Sequence, residues 1–146
     1  METVLHDIDM LWTLDLAVGC VAMDERNALM LDQLAGAEPV IAAGDDTALA
    51  AWLAARYEQF DTLLREEERE LASAGYPELA FHQRLHDRAR AILADGRSQL
   101  QRADSSQALE TLARESCLAL ALWLPRHVID ADRLFLPYVD QRFRAA

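Results

Sequence analysis

The chain has 146 residues, enough for one domain with a real core. Its formal charge is −11, from 25 acidic and 14 basic residues. A phosphate-binding surface wants the opposite sign, so nucleic acid is not an expected partner. Every basic residue is Arg, which excludes Lys-based covalent chemistry such as a Schiff base.

Half the composition is hydrophobic, with few Gly and Pro, and no segment alternates as a strand would. An all-α fold is expected. The first residues, "METVLHDIDM", are acidic and lack the basic start of a signal peptide. The longest purely apolar stretch, "CLALALWLP", falls far short of the ~20 residues of a membrane span. A soluble, cytoplasmic protein without membrane contact is expected. Cys20 and Cys117 are far apart in sequence, which favours reduced thiols over a disulfide framework.

A short N-terminal arm leads to a first helix predicted near 19–36. Its apolar seam reads Cys20, Met23, Asn27, Met30 and Leu34. "AGAEPVIAAGDD" separates it from a second helix near 46–74, whose seam reads Phe60, Leu63, Glu67 and Leu71. "SAGYP" ends the second helix and puts Pro77 at the first position of the third, near 77–102, where a missing N–H costs nothing. The third seam reads Leu79, His82, His86, Ala89 and Leu93. "QRADSS" then offers Asp104 or Ser105 as the N-cap of a fourth helix near 105–130. Its seam reads Leu109, Ala113, Leu120, Trp123 and His127, and a C-terminal helical piece contains "RLFLPYVDQRF". Four helices with short links indicate an antiparallel up-down four-helix bundle formed by residues 1–146 as a single domain.

Each seam thus carries a polar or ionisable group among core positions. Unpaired buried charge is very costly, so these groups should meet one another or a metal. A lone seam histidine is most often a hydrogen-bonded core residue. A pair one turn apart, with a Glu and a third His on separate seams, is better explained by a metal. "HQRLH" is not a zinc-protease signature, because no Glu follows the first His.

Four segments resemble the hemerythrin and bacterial hemerythrin-like (HHE) family over nearly the whole chain. "WTLDLAVGCVAMDERN" is similar to the start of the family's first helix, with Trp12 and Asn27 at the spacing of its Trp and ligand His. "LLREEEREL" is similar to its second-helix "HFxxEE" motif. "GYPELAFHQRLHD" resembles the third-helix motif, and "WLPRHVIDAD" the fourth-helix "WLxxHIxxxD". The resemblance implies a hemerythrin-like bundle with a di-iron site of five histidines and two bridging carboxylates. Carried over by position, His82, His86 and His127 would hold one iron, and Glu67 and Asp132 match the bridging carboxylates. Asn27 and Leu63 stand where the two histidines of the second iron belong.

A mononuclear site follows from those two departures, with Fe favoured, Zn or Mn suited to the same donors, and a second metal not expected. Glu67 would complete the shell or move protons, and Asn27 would hydrogen-bond a bound molecule; these are the candidate catalytic residues. Met23, Asn27, Leu63 and Trp123 are expected to line an enlarged pocket. Glu66, Glu70 and Asp24 lie within a turn of the altered positions, but "REEERE" reads mostly as a solvated face. Asp130 is a weaker ligand candidate than Asp132. His127 and Asp132 point about 140° apart on an ideal helix, so both reach one metal only if the helix bulges or ends between them. His6 reads as a surface residue and both cysteines as small core residues.

Two function classes follow. One is a non-haem metal-dependent, oxidoreductase-type enzyme acting on O2 or another small molecule. The other is a protein that binds or senses metal, O2 or NO without turnover. Reversible O2 carriage of the family's kind is disfavoured, since it draws electrons from both irons. A degenerate relative with a structural metal is the third option, and a monomer or homodimer is expected.

Overall fold

The computed structural model describes residues 21–138. His6, Trp12 and Cys20, and the N-terminal arm, lie outside the described residues. Four long helices carry the fold: α1 (Val21–Ala35), α3 (Asp46–Ser73), α4 (Leu79–Arg102) and α5 (Ser106–Asp130). A short helix, α2 (Ala37–Ala42), lies between α1 and α3, and a 3-10 helix (Asp132–Tyr138) follows α5. Among the described residues there is no strand, and no helix is long and apolar enough to cross a membrane.

The helices begin and end where local chemistry dictates. Asp45 caps α3 by accepting the Ala48 N–H at 3.0 Å, and Ser105 caps α5 by accepting the Ala108 N–H at 3.1 Å. After α3, Gly75 adopts φ +69°, a left-handed conformation that favours glycine. Tyr76 N–H then reaches Leu71 O, and Gly75 N–H reaches Ala72 O, the paired bonds of a Schellman ending. Tyr76 and Leu71 are both buried, which adds that motif's apolar contact. Pro77 falls two residues before α4, whose N-cap is Glu78, so it belongs to the turn rather than to the helix. Residues 37–42, expected as a linker, form a helical turn instead because Ala37 and Ile41 find apolar cover against α3 and α5.

α1 and α4 each pack against both α3 and α5, which makes a helical bundle around one apolar core. Leu34, Leu53, Phe60, Leu64, Leu93 and Leu120 are all but sealed from solvent. Burying one such side chain contributes about 1.5–3 kcal/mol. Along α3 the buried positions are Leu49, Leu53, Tyr57, Phe60, Leu64, Glu67 and Leu71, spaced three or four apart. Leu64 takes the central place expected of Leu63, which is only half-buried at the edge of the stripe. At Gly96, α4 comes close against α3. A Cβ there would lie 2.6 Å from Cζ and Oη of Tyr57. The Tyr57 hydroxyl in turn shares a 2.7 Å hydrogen bond with Ser116 of α5.

Candidate metal centre

Three core positions that would otherwise be apolar carry histidine. His82 and His86 follow one another by a turn on the inner face of α4, and His127 sits on the inner face of α5. Glu67 enters from α3. Asp132 enters from the first residue of the 3-10 helix. α5 ends at Asp130, and Ala131 leaves helical geometry at φ −129°, ψ −49°. The chain therefore turns between His127 and Asp132, which removes the angular conflict of a continuous helix. All five side chains are buried, Asp132 and His86 almost completely.

Donor atoms of Glu67, His82, His86 and His127 all lie within 4.8 Å of one another, and Asp132 approaches from the side of His127 and His82. Nε2 of His127 lies 3.1 Å from Nε2 of His86 and 3.3 Å from Nε2 of His82. Glu67 Oε2 lies 2.8 Å from His86 Nε2, 3.2 Å from His82 Nε2 and 3.7 Å from His127 Nε2. Asp132 Oδ1 lies 2.8 Å from His127 Nε2 and 3.5 Å from His82 Nε2. Ligands about 2.1 Å from one ion sit about 3.0 Å apart at right angles and about 3.4 Å apart at tetrahedral angles. The observed separations bracket those values. Despite its 2.8 Å contact, Asp132 Oδ1 accepts no aligned hydrogen bond. An oxygen buried that deeply without a donor suits a cation, so the donor set fits a divalent ion.

The electrostatics describe the same demand for positive charge. Burial works to raise the Glu67 carboxyl, but the surrounding imidazoles, His127 foremost, outweigh it and hold Glu67 well below the usual carboxylate range. Burial, reinforced by the negative charge of Glu67, pushes Asp132 well above its ordinary value. Burial also depresses His82. For His127, burial is overcome by Asp132 and Glu67, which lift the imidazole to about 9.

Outside the five, a second ring of contacts sets their orientation. His86 Nδ1 donates to Glu68 Oε1 at 2.7 Å, and Arg90 anchors the same oxygen at 2.8 Å. That bond fixes the His86 tautomer and leaves Nε2 to face the cluster. Trp123 stacks on His127 with centroids 4.4 Å apart and planes 14° from parallel. Phe135 and Tyr76 meet His82 edge-on at 5.6 and 6.3 Å. Glu68 and Arg90 are the residues that sequence reasoning missed. Glu68 lies in the acidic run read as solvated, and only the approach of α4 reveals its partner.

The remaining predicted positions separate. Asn27 and Met23 are buried in α1. Leu63 lines a cleft of about 410 Å³ between α1 and α3, together with Arg26, Met30 and Glu66. Trp123 lines a different cleft, between α4 and α5. Among the described residues, Leu63 and Trp123 thus line separate clefts, and Met23 and Asn27 line neither of the two. Glu66 and Glu70 both engage Arg26, at 3.2 and 2.6 Å. Asp130 is exposed and pairs with Arg126 at 3.5 Å, away from the cluster. Cys117 is a buried core residue whose thiol burial pushes up to about 12.

Fold and site together define a helical-bundle protein with a buried His/Glu cluster that could hold a metal ion. No protein-family model matches the chain, and no curated protein or solved structure matches it either.

Proposed function

We propose that residues 1–146 form a hemerythrin-like, antiparallel up-down bundle that binds one divalent metal ion for chemistry on O2 or another small molecule. The observation that carries this reading is the convergence of three Nε2 atoms and two carboxylate oxygens at 2.8–3.7 Å from their neighbours. His82, His86 and His127 would hold the ion, with Glu67 and Asp132 completing the donor set. Three imidazoles with carboxylates suit Fe(II), Zn(II) or Mn(II), and Fe(II) is the ion favoured here. Bound there, iron would supply one-electron redox chemistry and a coordination position for a small molecule.

One ion rather than two is supported by the residues opposite. Leu63 has no donor atom, and the carboxylates of Glu66 and Glu70 are held by the Arg26 guanidinium. With a single ion, the second oxygen of Glu67 or Asp132 would be left to hold or pass a proton. Asn27, buried in α1, would donate a hydrogen bond to the bound molecule. Trp123 and Phe135 shield the imidazoles from water.

Metal content of the purified protein tests the reading. About one ion per chain is expected, lost in His82→Ala and in His86→Ala. Two ions per chain would rule out the mononuclear site. A metal-free protein that takes up no Fe(II), Zn(II) or Mn(II) would remove the metal reading altogether.

A further inference from the structure

We infer that the cleft between α4 and α5 binds a small organic carboxylate: an anionic head on its arginines and an apolar body against its inner wall. The cleft encloses about 670 Å³, within the range of small-molecule sites. Its inner wall is apolar and half-buried, made by Leu85, Ile92 and Trp123. Its exposed side carries Arg84, Arg88 and Arg126. The helical periods explain the arrangement. Positions 84, 85, 88 and 92 share one face of α4, and 119, 122, 123 and 126 share one face of α5.

Charge makes this place unusual. The chain as a whole carries −11. Elsewhere Arg26, Arg65, Arg90, Arg97 and Arg114 are each engaged by glutamates, and Arg56, Arg69 and Arg102, which show no ion pair among the described residues, lie outside this cleft. Among the described residues, Arg84 and Arg88 form no ion pair with a carboxylate, and Arg84 instead lies over the Phe81 ring at 5.7 Å. Asp130 is the one acid of the lining, and it sits beside Arg126. Three guanidiniums against one carboxylate leave a local positive field, which reaches only about 8–10 Å at physiological salt. A polyanion would extend beyond it on a chain that carries −11 overall. A compact monoanion would not. Guanidinium forks match a carboxylate in two parallel hydrogen bonds, and Trp123 lends apolar ring surface to an aromatic or branched body.

The site goes beyond the metal reading and does not require it, although His127 also lines the cleft. Binding is therefore measured calorimetrically on the chelator-treated full chain as well as on protein as purified. 2-Naphthoate is the probe, and 2-naphthalenemethanol is its neutral match. One molecule of 2-naphthoate per chain is expected in both preparations. The alcohol should bind at least about tenfold more weakly. Arg88→Gln and Arg126→Gln, both exposed, should each weaken 2-naphthoate about fivefold to tenfold, whereas Arg97→Gln, outside the cleft, should change nothing. No binding at about 1 mM, equal binding of the alcohol, or unchanged affinity in both cleft variants would overturn the proposal. So would a stable dimer that Leu122→Asp converts to monomers, because the face would then be covered by a second copy.

Discussion

Glu68 and His86 are joined by a 2.7 Å hydrogen bond that crosses from α3 to α4 and turns the imidazole's other nitrogen toward Glu67 and His127. The bond decides which nitrogen carries the proton, so it decides whether Nε2 has a lone pair to give. Arg90 keeps Glu68 ionised and in place: burial works against the charge, but Arg90 and His86 together lower the carboxyl below its ordinary value. Glu68→Ala is expected to weaken metal binding by about 10–100-fold while leaving the helical content intact. Glu68→Gln, whose amide oxygen can still accept from Nδ1, should lose less. Competition with a chelator of known affinity reads both values. Wild-type affinity in Glu68→Ala would show that the bond is incidental.

Asp132 and Asp130 offer a matched comparison, because sequence placed both near the site and the fold separates them. Asp132 faces His127 at 2.8 Å with its oxygen otherwise unserved, while Asp130 lies in solvent beside Arg126. Asp132→Asn should cost at least about tenfold in metal affinity. Asp130→Asn should leave affinity unchanged and shift stability by no more than about 0.5 kcal/mol. Metal titration and thermal melting of the two variants settle the contrast. Equal behaviour would remove Asp132 from the donor set.

Asn27 and Leu63 carry the prediction about metal number. Leu63 of α3 is open to the small cleft, and Asn27 is buried in α1. Replacing both by His restores the two imidazoles that the family resemblance places beside the bridging carboxylates. The double variant is expected to raise the metal content from about one to about two ions per chain, with each single variant remaining near one. Elemental analysis after loading with excess Fe(II) and desalting measures it. A double variant that still holds one ion would mean that the two positions do not face a common point.

Much of the frame was readable because it rests on local rules. The turn at Gly75, the cap at Ser105 and the helix spans follow from residue types at single positions. His82 and His86 declared themselves by sitting on an apolar seam where a solvent-facing histidine has no reason to be. The break before Asp132 could be anticipated from helix geometry alone, since a continuous helix would have pointed it away from His127. Glu68 was not legible, because its neighbours in "REEERE" have the same local signature and differ only in what the next helix brings to them. Leu63 shows the limit of periodicity: positions 63 and 64 both fall near the stripe, and packing against α1 and α4 decides which one is buried. The division between the Leu63 cleft and the Trp123 cleft is likewise a tertiary fact. No spacing along one helix encodes which side of the bundle a half-buried edge position will face.

Gly96 and Tyr57 provide a stability test in which two effects have opposite signs. In an unconstrained helix, replacing an interior Gly by Ala gains about 1 kcal/mol from backbone entropy. At Gly96 the added methyl would sit 2.6 Å from Cζ and Oη of Tyr57, closer than real contacts allow. The ring has little room to retreat, because it is almost fully buried and its hydroxyl is tied to Ser116 at 2.7 Å. Overpacking of this kind costs about 1–3 kcal/mol, and displacing the ring also strains the Tyr57–Ser116 bond, whose loss would leave buried polar groups unserved. The cost therefore exceeds the propensity gain, and Gly96→Ala should lower stability by about 1–3 kcal/mol in denaturant unfolding. Tyr57→Phe should cost about 1–3 kcal/mol through the unpaired Ser116 hydroxyl. Combined, the two changes should cost less than their sum, because the phenylalanine ring has lost the oxygen that both crowds the new methyl and holds the ring in place. A stabilised Gly96→Ala would mean that α4 and α3 can separate there without penalty, contrary to the tight contact at this crossing.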